Sequence, residues 1–396
     1  MDRRIDFIVH GIVAAILVAL QTAVAQAPSP LSDILHRLNL ASPARKSSLV
    51  DSFITAHAAG GFPLASDSIA CFVFRGEVAR AVVLTGDQTH WAPGDTLSNV
   101  PGTNLYYAEE KLEPDARIDY KFIKDGTYIL DPLNPHSIPG GFGSNSELAM
   151  PGYIYPEELR VVPGIPHGTI DTLRLEDVPG ESLTIEVYCP PGYAGDLSRY
   201  PTLYIHDGPD YLRLASMASI FDNMIADRKI EPLIGVFVPS GKDRAEKYRL
   251  AKLSRFTEFF VRKLVPRIDS LYRTDRRASR RGTLGASDGG HFALWLAISH
   301  PGIFGIAAGQ SSTITPRLRN PIARGPKLRV RFALDVGTYD IVDPEFNLLK
   351  LNREFHTLLL SKDYPVAYAE YHEGHSWGNW RGHLPRILGI LFPPSR

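Results

Sequence analysis

Two rhythms of apolar and polar residues divide this chain. From Pro30 to about Ala59 the apolar positions recur at helical spacing, first Leu31, Ile34, Leu35 and Leu38, then Leu49, Val50, Phe53 and Ile54. Gly60-Gly61 and Pro63 end that stretch. From Ser68 the period shortens, and residues 69–75, 79–85, 105–112 and 117–123 read as strands separated by turn residues. Lys124-Asp125-Gly126 carries the Asp-Gly signal of a tight hairpin. Several short strands within so few residues predict a small β-sandwich.

From about Ile170 the pattern changes again. Strand-like runs at 183–189, 202–206, 233–238, 283–284, 331–336 and 366–371 alternate with amphipathic stretches at 212–228, 256–271, 291–300 and 346–361. A ribbon that opens antiparallel and then alternates strand with helix predicts an α/β domain, its mostly parallel sheet covered on both faces. The expected organisation is a helical lead-in at 28–62, a β-sandwich at 63–156 and the α/β domain at 157–396. Gly140-Gly141-Phe142-Gly143-Ser144-Asn145 and Pro151-Gly152 read as the exit from the sandwich, and 157–169 as a linker or first edge strand.

Residues 1–27 read as a secretory signal. Arg3 and Arg4 precede the apolar run Ile12 to Leu20, and Ala23-Val24-Ala25 fits the small-residue cleavage rule, leaving a mature chain that starts near Pro28. The apolar run is short for a retained anchor. The expectation is therefore a periplasmic or secreted protein with no stable membrane span after cleavage. Lysine plus arginine balances aspartate plus glutamate at 43 each in 396 residues, which gives no footprint for nucleic acid. Cys71 and Cys189, the two cysteines, fall in apolar runs of different domains and read as separate buried thiols. No metal-ligand spacing or phosphate-binding loop occurs, so neither metal nor cofactor is expected.

The chemistry concentrates around Gly285-Ala286-Ser287-Asp288-Gly289, a serine between a strand-like Thr283-Leu284 and the helix-like run that begins at Gly290. Serine is a poor nucleophile until a sharp turn exposes it beside a base, and glycines on either side permit that turn. Serine also favours helix N-caps, which is the plainer reading of the same position. Against that reading stand two residues further along the chain: Asp340, then His375 in Glu373-Gly374-His375-Ser376-Trp377. Serine, acid, histidine is the chain order of α/β-hydrolases, and all three positions come directly after predicted strands, where an α/β sheet gathers its reactive groups. In this reading His375 is the base for Ser287 and Asp340 orients it. Asp335 and Asp343 are the alternatives for the acid. Asp335 lies inside an apolar run, whereas Asp340 lies beyond Gly337-Thr338, where a loop can turn toward the histidine.

An oxyanion needs backbone donors. The Asp288 amide is one. The other is expected from Asp207-Gly208-Pro209-Asp210, where Pro209 has no N–H, leaving Gly208 or Asp210. In the sandwich, Trp91, Lys121, Tyr128 and Asn145 are candidates for one glycan-binding surface, with core or interdomain packing as the plainer role for the two aromatic rings.

With these residues in place, the chain resembles the exported esterases related to enterochelin (ferric enterobactin) esterases and to feruloyl and acetylxylan carbohydrate esterases. The likeness rests on Tyr204-Ile205-His206-Asp207-Gly208-Pro209-Asp210-Tyr211, Asp243-Arg244-Ala245-Glu246-Lys247-Tyr248-Arg249, Gly285 to Gly290, Leu334 to Asp340 and Gly374 to Arg381. It implies an α/β-hydrolase with Ser287, Asp340 and His375 as its triad. Substrate contacts are expected on the same segments at Asp210, Tyr211, Arg244, Tyr248, Trp377 and Trp380. Thr85-Gly86-Asp87, Trp91, Tyr120-Lys121-Phe122 and Asp125 to Tyr128 resemble the early-set, immunoglobulin-like module that precedes many such esterases. The expected activity is a serine carboxylic-ester hydrolase acting on a small-molecule or glycan-linked ester. The other readings are a feruloyl or acetyl esterase on plant polysaccharide, an acyltransferase on the same fold, and a non-catalytic glycan-binding protein.

Overall fold

The computed structural model describes residues 29–178, 181–343 and 346–394; the expected signal segment lies outside the described residues. Two helices, Ser32–Leu40 and Pro43–His57, open the described chain and bury Ile34, Leu38, Val50 and Phe53 against one face of the first sheet. Two antiparallel sheets come next. One joins Leu64–Ser66, Ile69–Arg75, Leu105–Lys111 and Ser98–Asn99. The other is built on Arg117–Lys124, flanked by Val82–Gly86 and by the pair Ser137–Gly140 and Gly143–Ala149. Phe72, Phe74, Leu84, Ile118, Tyr120 and Phe122 close the core between them. The Asp125-Gly126 turn has positive φ at both residues, 51° and 91°, and joins Arg117–Lys124 to Thr127–Ile129 as a hairpin. The glycine-rich run read as an exit is instead the tip of the Ser137–Gly140 and Gly143–Ala149 hairpin. Its glycines serve a reversal within the sheet rather than a departure from it.

The larger sheet has eight strands: β1 (Thr169–Val178), β2 (Glu181–Cys189), β3 (Thr202–His206), β4 (Ile234–Val238), β5 (Arg281–Ala286), β6 (Ile306–Gln310), β7 (Arg331–Tyr339) and β8 (Val366–Gly374). Their spatial order is β1-β2-β4-β3-β5-β6-β7-β8. The first two pairings are antiparallel and the rest parallel. β3 to β6 are buried along their whole length, as interior strands of a sheet covered on both faces are. Successive side chains alternate between two cores: Tyr204 packs with Phe260 and Phe292 on one face, while Leu203 and Ile205 pack with Phe237, Leu284 and Leu388 on the other.

Among the described residues no helix is long and apolar enough to cross a membrane. Cys71 and Cys189 are buried free thiols, pushed up to about 11 and about 12 by burial first.

Candidate active site

β5 ends at Ala286, and the helix Asp288–Ser299 begins two residues later, so Ser287 alone makes the turn. Its backbone is at φ 57° and ψ −124°, a conformation that a residue with a side chain adopts only under compulsion. Much of that compulsion is local. The Ser287 N–H donates to the Gln310 carbonyl at 2.9 Å and its carbonyl accepts from the His291 N–H at 3.0 Å. The helix also returns so close to the strand that a Cβ on Gly285 would lie 2.3 Å from the Gly289 carbonyl oxygen. Glycine at 285 is a steric requirement of the turn.

Ser287 Oγ lies 3.0 Å from His375 Nε2, and His375 Nδ1 lies 2.7 Å from Asp340 Oδ1. Asp340 is fully buried, directly beyond β7, and its Oδ1 also accepts the Ile341 N–H at 2.7 Å. Asp335, the alternative acid, points into the sheet: it is 1% exposed, accepts from Gln310 Nε2 at 3.2 Å and is pushed up to about 7 by burial. Two other histidines near the turn have different partners. His206 pairs with Thr283 Oγ1 at 2.6 Å and His291 with the Thr313 carbonyl at 2.9 Å, and burial lowers them to about 3 and about 4.

The turn after β3 lies against the Ser287 turn, since a Cβ on Gly289 would meet Asp207 Oδ2 at 2.9 Å. Within it the Asp207 amide donates to Tyr248 Oη at 3.0 Å, and the Asp210 amide to the Asp207 carbonyl at 2.9 Å. Among the described residues, the Gly208 amide of this turn has no hydrogen-bond partner. The Asp288 amide is at the first position of its helix, where the intrahelical ladder supplies no acceptor.

The structure gives the six expected substrate contacts different placements. Tyr211 and Tyr248 are fully buried, with Tyr211 Oη donating to Gln310 Oε1 at 3.1 Å. Both stand behind the site rather than on its surface. Arg244 is part-exposed but holds Asp207 through Nε at 3.0 Å and Nη2 at 2.8 Å, and its Nη2 also approaches the Ala286 carbonyl. It braces the turn that carries Gly208. Asp210 faces outward and pairs with Arg213 at 2.9 Å. Trp380 is set edge-on to His375, with ring centroids 5.0 Å apart, and its Nε1 donates to Ser311 Oγ at 3.0 Å. Trp377 packs edge-on against Trp380 and Tyr211.

The four glycan candidates lie along one face of the second sheet, opposite the face that carries Ile118, Tyr120 and Phe122, but in a row that runs from buried to exposed. Trp91 donates to Asp87 Oδ1 at 2.9 Å and Asn145 to Asp119 Oδ2 at 3.0 Å, both on the side of the sandwich that meets the large sheet. Lys121 is half-buried beside Thr85. Tyr128, the exposed one, pairs with Ile123, four residues along the strand from Asp119 and so about 13 Å away. Sequence reasoning gave no site role to Asp87, His90, Arg117 and Gln310, which contact the site's loops. A single polar residue in a strand or turn carries no local sign of a long-range partner.

A cleft of about 840 Å³ opens at the opposite edge of the sheet, lined by Glu231, Arg280, Lys327, Arg329 and Arg331 among others. It contains neither Ser287 nor either partner.

A strand-turn-helix serine, with acid and histidine on loops after β7 and β8 of this sheet, defines an α/β-hydrolase. Residues 177–391, more than half of the chain, match the Esterase family, described as "Putative esterase", and the chain belongs to that family. YjcH of Bacillus subtilis is 26% identical over 211 residues, covering 51% of this chain and 88% of that protein. An endo-1,4-β-xylanase/feruloyl esterase of Xylanibacter ruminicola is 27% identical over 296 residues, 69% of this chain but only 38% of that enzyme. Among solved structures, the enterobactin esterase of Shigella flexneri aligns with a TM-score of 0.68 at 19% identity, over 82% of this chain and 94% of that one. A ferulic acid esterase aligns at 0.51 and 19% identity over 58% of this chain. At these identities the structural likeness is one of fold.

Proposed function

We propose that the chain is an exported serine carboxylic-ester hydrolase that works through an acyl-enzyme on Ser287. The observation that carries this reading is the continuous relay from Ser287 Oγ to His375 at 3.0 Å and from His375 to Asp340 at 2.7 Å. Ser287 Oγ attacks the ester carbonyl carbon as His375 Nε2 takes its proton. The oxyanion forms against the amides of Asp288 and Gly208, and its collapse breaks the C–O bond while His375 returns the proton to the leaving alcohol. Water, deprotonated by His375, then attacks the acyl carbon; the acid leaves and Ser287 recovers its hydrogen. Asp340 keeps the imidazole in the tautomer with Nε2 free to accept and stabilises its cation.

The substrate is proposed to be a small-molecule or glycan-linked ester. Two likenesses favour a catecholate trilactone or a feruloyl ester. The fold match to an enterobactin esterase takes in the N-terminal sheets as well as the large sheet, and so does the sequence match to a xylanase/feruloyl esterase. Export rests on the signal pattern at 1–27, and a mature chain with its N-terminus near Pro28 would bear it out.

The test is hydrolysis of short-chain p-nitrophenyl esters by the mature chain beside Ser287→Ala. Loss of about 10⁶-fold in kcat is expected for the nucleophile. Equal rates in both would remove Ser287 from the mechanism. Product analysis with added alcohols separates hydrolysis from acyl transfer.

A further inference from the structure

Residues of the N-terminal sheets press on both loops that carry His375 and Asp340. Arg117 opens the strand Arg117–Lys124, and its side chain is wholly buried. Its Nε donates to Glu147 Oε1 at 2.6 Å and its Nη2 to Asp119 Oδ1 at 2.7 Å, both within the same sheet. The third partner comes from the other sheet: Glu373 Oε2, 3.6 Å from Arg117 Nη1, at the end of β8 and two residues before His375. Neither of those two atoms has a hydrogen-bond partner elsewhere among the described residues. Burial works against the guanidinium charge, but the carboxylates of Asp119, Glu147 and Glu373 outweigh it and hold Arg117 firmly protonated.

The backbone around His375 is fitted to these side chains. A Cβ on Gly378 would lie 2.0 Å from Arg117 Nη2, and a Cβ on Gly374 would lie 2.1 Å from Asp87 Cγ. The acid loop is held from the same side. His90 Nδ1 lies 2.8 Å from the Asp340 carbonyl oxygen and 3.3 Å from that of Tyr339. The Tyr339 hydroxyl in turn bonds Glu113.

We propose that Arg117 and His90 are positioning residues for catalysis, holding the His375 loop and the Asp340 loop at hydrogen-bond distance from each other. The inference rests on the reading of Ser287, His375 and Asp340 as the triad. It makes the N-terminal sheets part of the catalytic apparatus, acting from behind the relay without touching substrate. A relay of two short bonds is sensitive to such support, because a misplacement of 1 Å can cost about 100-fold in rate.

The test uses the full mature chain with His90→Ala, Arg117→Met and Arg117→Lys, measured for kcat, KM and thermal midpoint beside wild type and Ser287→Ala. His90 is exposed, so its alanine variant retains the wild-type midpoint. A fall in kcat of about tenfold or more at unchanged KM is expected for His90→Ala, and a larger fall for Arg117→Met. Arg117→Lys keeps the charge without the fork and recovers part of that loss. A purely structural role would reduce the amount of folded enzyme and leave the kcat of folded protein unchanged. Wild-type kcat in His90→Ala and in folded Arg117→Met overturns the proposal. If Arg117→Met does not fold, His90→Ala alone decides. Persistence of activity in Ser287→Ala would instead sink the triad itself, so the two failures are distinguishable.

Discussion

At one edge of the large sheet, residues 35 and 88 positions apart meet in a line of two hydrogen bonds. In the N-terminal sheets, four residues spread in a row along one sheet face and share no bond with one another: Trp91 and Asn145 hold buried carboxylates while Tyr128 stands 55% exposed at the far end. The difference lies in the topology. Parallel strands bring all their carboxyl ends to one edge, so every loop after a strand competes for the same small volume. An antiparallel sandwich sends alternate turns to opposite ends, and nearness in sequence buys no nearness in space. The roomy cleft at the other edge, lined by Glu231, Arg280, Lys327, Arg329 and Arg331, lies away from Ser287, His375 and Asp340.

Beyond Ser287→Ala, the largest loss is expected for Asp340→Asn. It keeps the shape of the relay but favours the wrong imidazole tautomer, so kcat should fall about 10⁴-fold with KM little changed in steady-state kinetics. Full activity would place the orienting acid elsewhere.

A smaller effect should separate the two aspartates of β7 and the loop after it. Asp335 is buried and raised to about 7, well above an unfolded carboxylate. Its contribution to stability is complete below about pH 4 and is lost as pH rises through about 7. Thermal midpoints of Asp335→Asn should lack that decline between pH 5 and pH 8, whereas the wild type loses several degrees. Parallel curves would mean that Asp335 does not titrate in this range.

The smallest effect is expected from Tyr128→Ala, less than about twofold in kcat/KM on p-nitrophenyl esters, with unchanged retention on polysaccharide columns, since an exposed side chain away from other features contributes little. A clear loss of polysaccharide retention would restore a glycan surface centred on that hairpin.

Part of the candidate site was legible because the constraints at Ser287 are local. Gly285 and the residues around Ser287 describe a turn that the chain can make in few ways, whereas the crowding at Gly374 and Gly378 comes from Asp87 and Arg117, far away in sequence. The alternation of runs from residue 183 onward pointed to the parallel sheet, because strands buried on both faces must be apolar throughout. Other parts were silent for physical reasons. β6, Ile306-Ala307-Ala308-Gly309-Gln310, is too poor in branched and aromatic residues to announce a strand, and only its central place in the sheet makes it one. The tip at Gly140 to Gly143 read as a departure because glycine marks every sharp change of direction alike. Tyr248 and Arg244 carried the right motif but not its orientation. Their work is with Asp207, a partner 41 and 37 residues away that no local pattern names.

Ser287, held at φ 57° and ψ −124°, places stability and activity in opposition at a single residue. A backbone in so sparsely populated a region costs about 1–3 kcal/mol, and a glycine there would release most of it. The hardiest chain of this design would therefore be an inert one. Under the proposed mechanism, selection for heat resistance alone would favour losing Ser287, and only continued demand for turnover keeps a serine in that place.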